Sequence, residues 1–201
     1  MSRYKLLVVA LGMFLMFGST ALAGGGFKVK PAQFVGTAEQ CGGTAGTDTV
    51  ASRWVTKEGL PDAGNSNHAL YLEKSGPTAN CAAALAIIDG VEGITLTEIG
   101  WDVRDDGHCG AGAPRFNVTT SDGVTHFIGC ASPPSSSASV PAPGWTRYEY
   151  DPATAFPPIL PTDTVESILI VFDEGENVGP GFVYLDNINI NGTLIGEPGN
   201  V

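Results

Sequence analysis

The chain predicts an all-β protein, a β-sandwich of two antiparallel sheets with about eight to ten strands. Three observations point there. The 201 residues include 27 glycines and 14 prolines, and no long stretch repeats apolar residues with the period of a helix. Short alternating or β-branched runs recur between turn residues, as in sandwiches and barrels. Four cysteines follow a leader-like N-terminus, the pattern of an exported, cross-linked domain.

The leader comes first. Arg3 and Lys5 form a short basic region, and Leu6 to Phe17 is an apolar run too short to span a bilayer comfortably. Ala21-Leu22-Ala23 supplies a small-x-small cleavage pattern, so residues 1–23 read as a signal peptide and the mature chain is expected to begin at Gly24. No cysteine directly follows the apolar run, so no lipoprotein anchor is expected. No second stretch reaches membrane length. Residues 24–201 are long enough for one domain with a substantial core. The expected location is therefore secreted, periplasmic or extracellular.

Strands are expected at Val50 to Val55, Ala69 to Glu73, Ala83 to Ile88, Ile94 to Thr97, Ile99 to Arg104, Arg115 to Thr120, Val124 to Ile128, Trp145 to Tyr150, Ser167 to Asp173 and Phe182 to Ile190. Arg115 to Cys130 is the clearest unit, because Ser121-Asp122-Gly123 sits between two alternating runs and glycine tolerates positive φ. Ile99, Trp101 and Val103 alternate with Asp102 and Arg104, giving one buried and one wet face. Ile168, Ile170 and Phe172 alternate with Leu169 and Val171, so that strand is expected at the centre of a sheet. Ala131 to Pro143 is rich in serine and proline and cannot be a central strand. It reads as a surface loop within the single domain, since too few strands follow it to form another sandwich.

Cys41, Cys81, Cys109 and Cys130 read as two disulfides. Of the three connectivities, Cys109–Cys130 is favoured because the hairpin between them brings its ends together, leaving Cys41–Cys81. Their spacings do not suit a CxxC metal or redox motif.

Lys and Arg number 10 against 21 Asp and Glu, a formal net charge of −11 at pH 7. Such a chain repels phosphate backbones and anionic lipid, so neither nucleic acid nor a membrane surface is an expected partner. It suits neutral sugars, cations or basic partners.

Asp186 is the residue that most requires a chemical explanation. Read with a period of two, Phe182, Tyr184, Asp186, Ile188 and Ile190 share one face, which places a carboxylate among hydrocarbon. A buried carboxylate needs a partner. It can meet an arginine, anchor a loop through backbone N–H groups or bind a hard cation such as calcium. Asp48, Asp62, Asn65, Asn67 and Asn187 are the candidate co-ligands. Asp173, Glu174 and Glu176 follow a strand, and paired carboxylates can hydrolyse glycosides. The DEGEN run, however, reads as a solvated turn, so no catalytic residue is expected. His68, His108 and His126 have no G-x-S-x-G, HExxH or H-x-H context, and each reads as a surface or packed side chain. Trp101 reads as core. Tyr148 and Tyr150 share a strand face with Trp145 just before them, and these three are the candidate aromatic platform for a sugar ring. Asn117-Val118-Thr119 and Asn191-Gly192-Thr193 match the N-glycosylation pattern.

The terminal FVYLDNINING resembles the closing strand of galactose-binding-like jelly rolls, the fold of many carbohydrate-binding modules. The resemblance covers about a dozen residues and implies an exported binding domain, with Asp186 at the position that helps to hold a structural calcium. The calcium partner near that family's N-terminus, a Glu in an F-E-x-G run, is not matched at Gly26-Phe27-Lys28. The segment CGAGAPRFNVTTSDGVTHFIGC is similar to a run in exported bacterial proteins.

The expected function is thus a secreted, non-catalytic binding domain for carbohydrate or another cell-surface component. The alternative is a structural or interaction protein of the envelope or matrix, with a glycoside hydrolase further behind.

Overall fold

A computed structural model describes residues 26–61, 66–139 and 142–196. The expected leader and cleavage site lie outside the described residues, as do Asp62 and Asn65. Among the described residues twelve strands form, namely β1 (Lys28–Val35), β2 (Val50–Val55), β3 (Ala69–Lys74), β4 (Ala82–Asp89), β5 (Ile99–Arg104), β6 (Arg115–Thr120), β7 (Thr125–Gly129), β8 (Ser136–Ser139), β9 (Trp145–Tyr150), β10 (Val165–Phe172), β11 (Phe182–Ile190) and β12 (Thr193–Ile195). One short 3-10 turn, Pro152–Thr154, is capped by the Asp151 side chain.

The strands make a jelly-roll sandwich. The five-stranded sheet runs β1-β4-β10-β6-β7, and the second sheet runs β2-β3-β11-β5-β9-β8, with β12 paired to the far half of β11. Every pairing is antiparallel. Late strands are interleaved with early ones, since β10 lies between β4 and β6 and β11 between β3 and β5.

The alternating apolar positions meet between the sheets. Ile168, Ile170 and Phe172 of β10 face Leu70, Leu72, Val183 and Leu185 in one buried cluster. Trp101 of β5 stacks on Phe116 of β6 with ring centroids 4.1 Å apart, joining the sheets at mid-core. Trp101 is fully buried. Removing a buried aromatic of that size costs about 3–5 kcal/mol.

Three strands escape the expected pattern. β1 carries Pro31 and outward lysines, which mask its alternation, and it is tolerated because it is an edge. β8 arises inside the Ser/Pro-rich segment, again at the end of its sheet among the described residues, paired with β9. β12 follows Asn191-Gly192, whose φ values of +52° and +79° make the tight turn of a two-residue hairpin.

The expected strand Ile94 to Thr97 does not form. Its neighbourhood bonds to β10 through Gly93 N–H to the Val165 carbonyl and Val165 N–H to the Ile94 carbonyl. The Asn191 side chain accepts the Thr97 and Glu98 N–H groups. Those donors are satisfied without a ladder.

β11 changes face part-way. Its register with β5 steps from Asp186 opposite Asp102 to Asn189 opposite Gly100, a bulge, and Asn187 has φ +44°. Before the bulge Val183 and Leu185 point inward; after it Ile188 and Ile190 do. Phe182, Tyr184 and Asp186 therefore face outward, and the single apolar face expected from strict alternation is corrected to two half-strands of opposite phase.

The free flank of β7 is covered by an extended residue, because Phe127 and Phe156 exchange both backbone hydrogen bonds at 2.9 Å.

Candidate binding groove

The outer face of the five-stranded sheet should be polar where it meets water, yet its centre is not. Ile87, Leu169, Asn117 and Phe127 lie in register across β4, β10, β6 and β7. The next row is Ala32, Leu85, Val171, Arg115 and Gly129. Phe34 and Phe127, near opposite sides of this face, are 37% and 40% exposed. An open groove of about 610 Å³ runs over Leu85, Leu169 and Val171. Phe34 forms one wall, and Asn117, Arg115, Asp173 and Glu174 contribute the polar groups. The small residue Ala83 also lines the groove; β7 approaches β6 closely at Gly129, where a Cβ would sit 2.6 Å from the Arg115 Cα.

The charged groups around this groove are bound to one another. Arg115 Nη1 and Nη2 donate to Asp173 Oδ1 and Oδ2, each at 2.7 Å, a bidentate pair. Arg115 Nη1 also donates to the Gly112 carbonyl, and Nε donates to Asn117 Oδ1 at 3.1 Å. His108 Nε2 meets Glu174 Oε2 at 2.5 Å, with both side chains largely buried. The expectation of a solvated acidic turn is therefore corrected for Asp173 and Glu174, while Glu176 remains exposed. The turn is drawn inward because Gly175 packs on the loop after β3, where a Cβ would lie 1.8 Å from the Gly76 carbonyl oxygen.

Lys74, at the end of β3, is 1% exposed. Its Nζ donates to the carbonyls of Thr78 (3.0 Å), Asn80 (2.7 Å) and Asp173 (2.8 Å). One ammonium thus ties the β3–β4 loop to the end of β10 in the other sheet. Burial pulls its pKa below the usual lysine value, and the charge of Asp173 works the other way. Sequence reading missed Lys74, although a lysine closing the run Ala-Leu-Tyr-Leu-Glu-Lys was a signal, since a buried ammonium needs acceptors.

Asp186 is buried, but on the outer face and under the loop that follows β2. Its Oδ2 accepts the Leu60 N–H at 2.7 Å, and its Oδ1 accepts the Asn187 N–H at 2.7 Å. Gly59 approaches so closely that a Cβ there would lie 2.7 Å from Oδ2. These are the surroundings of an anion holding a loop. Among the described residues no group of three or more His, Cys, Asp and Glu side chains could hold a metal ion. Beside it, Asp102 is fully buried and takes both Arg147 Nε (2.7 Å) and Nη2 (2.8 Å), with Asn187 Nδ2 donating to Oδ2 at 2.7 Å. Further along, Asn189 Nδ2 donates to Glu149 at 2.8 Å and also to Glu98. Burial raises the Glu149 carboxyl above the usual range; the Asn189 hydrogen bond opposes this and the Glu98 charge adds to it.

The aromatic candidates do not form one platform. Tyr150 and Trp145 are 1% and 7% exposed, on opposite faces of β9, and Tyr148 is half-buried beside the core. The rings of Tyr148 and Tyr150 are stacked at 6.5 Å, facing inward. The reason is register: Tyr150 pairs with Ile99 and Tyr148 with Trp101, both inward residues. Outward rings lie elsewhere. Arg53, Tyr71 and Tyr184 stand opposite one another across β2, β3 and β11, and Arg104 of β5 packs on Tyr184. Arg53 lies 4.4 Å from the Tyr71 ring centre and Arg104 3.4 Å from that of Tyr184. Burial and Glu73 push the Tyr71 hydroxyl up to about 12.

His126 is buried, with Nε2 at 3.0 Å from Thr120 Oγ1 and Nδ1 at 2.8 Å from the Pro157 carbonyl. Asn117 is on the groove wall. The Asn191 carboxamide is tied to Thr95, Thr97 and Glu98. Cys41 is bonded to Cys81 and Cys109 to Cys130.

No protein-family model and no curated protein matches the chain. Among solved structures it is similar to the family 11 carbohydrate-binding module of the cellulosomal cellulase Lic26A-Cel5E of Clostridium thermocellum, at 13% identity and a TM-score of 0.48. The match covers 84% of this chain and 91% of that one.

Proposed function

We propose that the protein is a secreted, non-catalytic carbohydrate-binding domain whose ligand lies in the groove over the five-stranded sheet. The observation that carries this reading is the apolar floor of Leu85, Leu169 and Val171, edged by Asn117 and the Arg115–Asp173 pair. A sugar chain has the complementary surface, with C–H faces for the floor and hydroxyls for the rim. Five strands make the sheet face about 19 Å wide, which suits an oligosaccharide better than a single ring. Export is supported by the leader-like residues 1–23 and by two cystines. A non-catalytic role is supported by Asp173 and Glu174, whose carboxylates are held by Arg115 and His108.

The test is a glycan array probed with the oxidised mature protein and with Leu169→Asp, each checked for folding by circular dichroism. The wild type should retain glycans and the variant should lose them. An array on which the folded wild type retains none overturns the reading, and so does retention unchanged in Leu169→Asp.

The interaction-protein reading has one observation in its favour. Phe156, bridged to Phe127 on the flank of β7, is 79% exposed, and Leu160 in the same loop is 55% exposed. A wild type that binds no glycan but captures matrix or envelope protein through this edge would support it.

A further inference from the structure

The geometry points to a ligand without charge, held by a cluster of three N–H donors on neighbouring side chains of β6. This deepens the carbohydrate reading and rests on it. The argument starts from which groups at the groove are already engaged. Lys74 gives its three ammonium protons to carbonyl oxygens. Asp173 and Arg115 neutralise one another through two parallel hydrogen bonds, and Glu174 is taken by His108.

A carboxylate or sulfate entering the groove would therefore meet no unengaged cation among the described residues. It would come close to Asp173 and Glu174, on a chain of net charge −11. An ammonium group would have to separate Asp173 from Arg115 to gain a counter-ion. Both would give up hydration without replacement.

Among the described side chains that line the groove, the N–H donors left over belong to Arg115 and Asn117. A guanidinium has five N–H groups. In Arg115 one goes to Asn117, one to Gly112 and two to Asp173, leaving one on Nη2. Asn117 Oδ1 is used by Arg115 Nε, so its Nδ2 presents two more. Because that contact fixes which end of the amide is oxygen, Asn117 offers donors and not an acceptor to the groove. Two adjacent side chains with three N–H groups suit neighbouring oxygens of a neutral sugar lying on the Leu169 and Val171 floor.

The experiment uses isothermal titration with oligosaccharides of matched length, in neutral, uronic acid and amino sugar forms. Each is measured at low and high salt with the wild type, Asn117→Asp and Asn117→Ala. The neutral sugar should bind with an affinity that does not change with salt. The uronate and the amino sugar should each be weaker by about tenfold or more. Asn117→Ala should weaken neutral binding about tenfold, and Asn117→Asp should do so at least as strongly, since it places an acceptor where a donor stood. Equal or tighter binding of a charged form, a steep salt dependence, or no effect of either variant overturns the inference while leaving glycan binding intact. Failure of all three sugar classes to bind, with no other glycan bound, overturns the carbohydrate reading itself.

Discussion

Asp186 and Asp102 stand directly opposite each other on β11 and β5, and Asn187 serves both, giving its backbone N–H to the first and its side-chain amide to the second. Asp102 takes the Arg147 guanidinium, and the partners of Asp186 include the main-chain N–H groups of Leu60 and Asn187. The bulge makes this arrangement workable, because it turns Asn187 so that one residue reaches two acids.

Asp186→Ala removes the acceptor of two N–H groups beneath the loop after β2. The expected loss is about 2–4 kcal/mol, since a buried donor left without a partner costs about 1–3 kcal/mol. Urea denaturation monitored by tryptophan fluorescence measures it, with Asp48→Ala, at an exposed position, within about 0.5 kcal/mol of wild type.

Arg147→Met leaves Asp102 buried and without its cation. A loss of about 3–5 kcal/mol is expected. Arg147→Met combined with Asp102→Leu should be more stable than Arg147→Met alone, because the unpaired charge goes with its partner. A double-mutant cycle reads the difference.

Lys74→Met keeps the length of the stem but withdraws three donors from the carbonyls of Thr78, Asn80 and Asp173. It should destabilise by about 2–4 kcal/mol. Hydrogen exchange should show faster opening of the β3–β4 loop than in wild type, because that loop is joined to β10 by this ammonium.

Glu149 gives a pH dependence of known sign. Its carboxyl titrates above the unfolded value, so its contribution to stability is full below pH 4.5 and is lost as the pH rises through the raised folded value. Glu149→Gln keeps an acceptor for Asn189 and removes the buried charge. The variant should melt about 1–3 °C higher than wild type at pH 7, with the gap closing toward pH 4 in a thermal scan.

Gly36→Ala should prevent closure of Cys41–Cys81. A Cβ there would lie 2.2 Å from Cys41 Sγ and 2.7 Å from Cys81 Sγ. Thiol labelling of the oxidised variant should detect two free cysteines, and loss of a cross-link over 40 residues should cost about 2–4 kcal/mol.

Much of the sandwich was legible because its inner strands obey simple alternation. Ile99, Trp101 and Val103, or Ile168, Ile170 and Phe172, declare both strand and buried face, and Ser121-Asp122-Gly123 marks its hairpin. What escaped lies where periodicity carries no information. An edge strand such as β8 needs no apolar face, and Pro31 conceals β1. The bulge at Asn187 reverses phase without leaving a mark that counting can find, so Asp186 was rightly expected to be buried but placed on the wrong side.

The groove was harder to see. Leu85, Leu169, Val171, Asn117 and Arg115 come from three strands distant in sequence, and only register brings them side by side. Tyr148 and Tyr150 share a strand face with Trp145 just before them, but alternation alone does not tell an inward ring from an outward one. The pairing of Asp173 with Arg115 likewise depends on β10 lying next to β6.

Phe156 seals the outer flank of β7 by taking the place of another strand, while Pro31 removes a donor from β1. With both rims of the five-stranded layer blunted, neighbouring molecules gain little by zippering together. Tandem copies on one polypeptide, or dense coatings on a polymer surface, should therefore remain independent units instead of seeding fibrils.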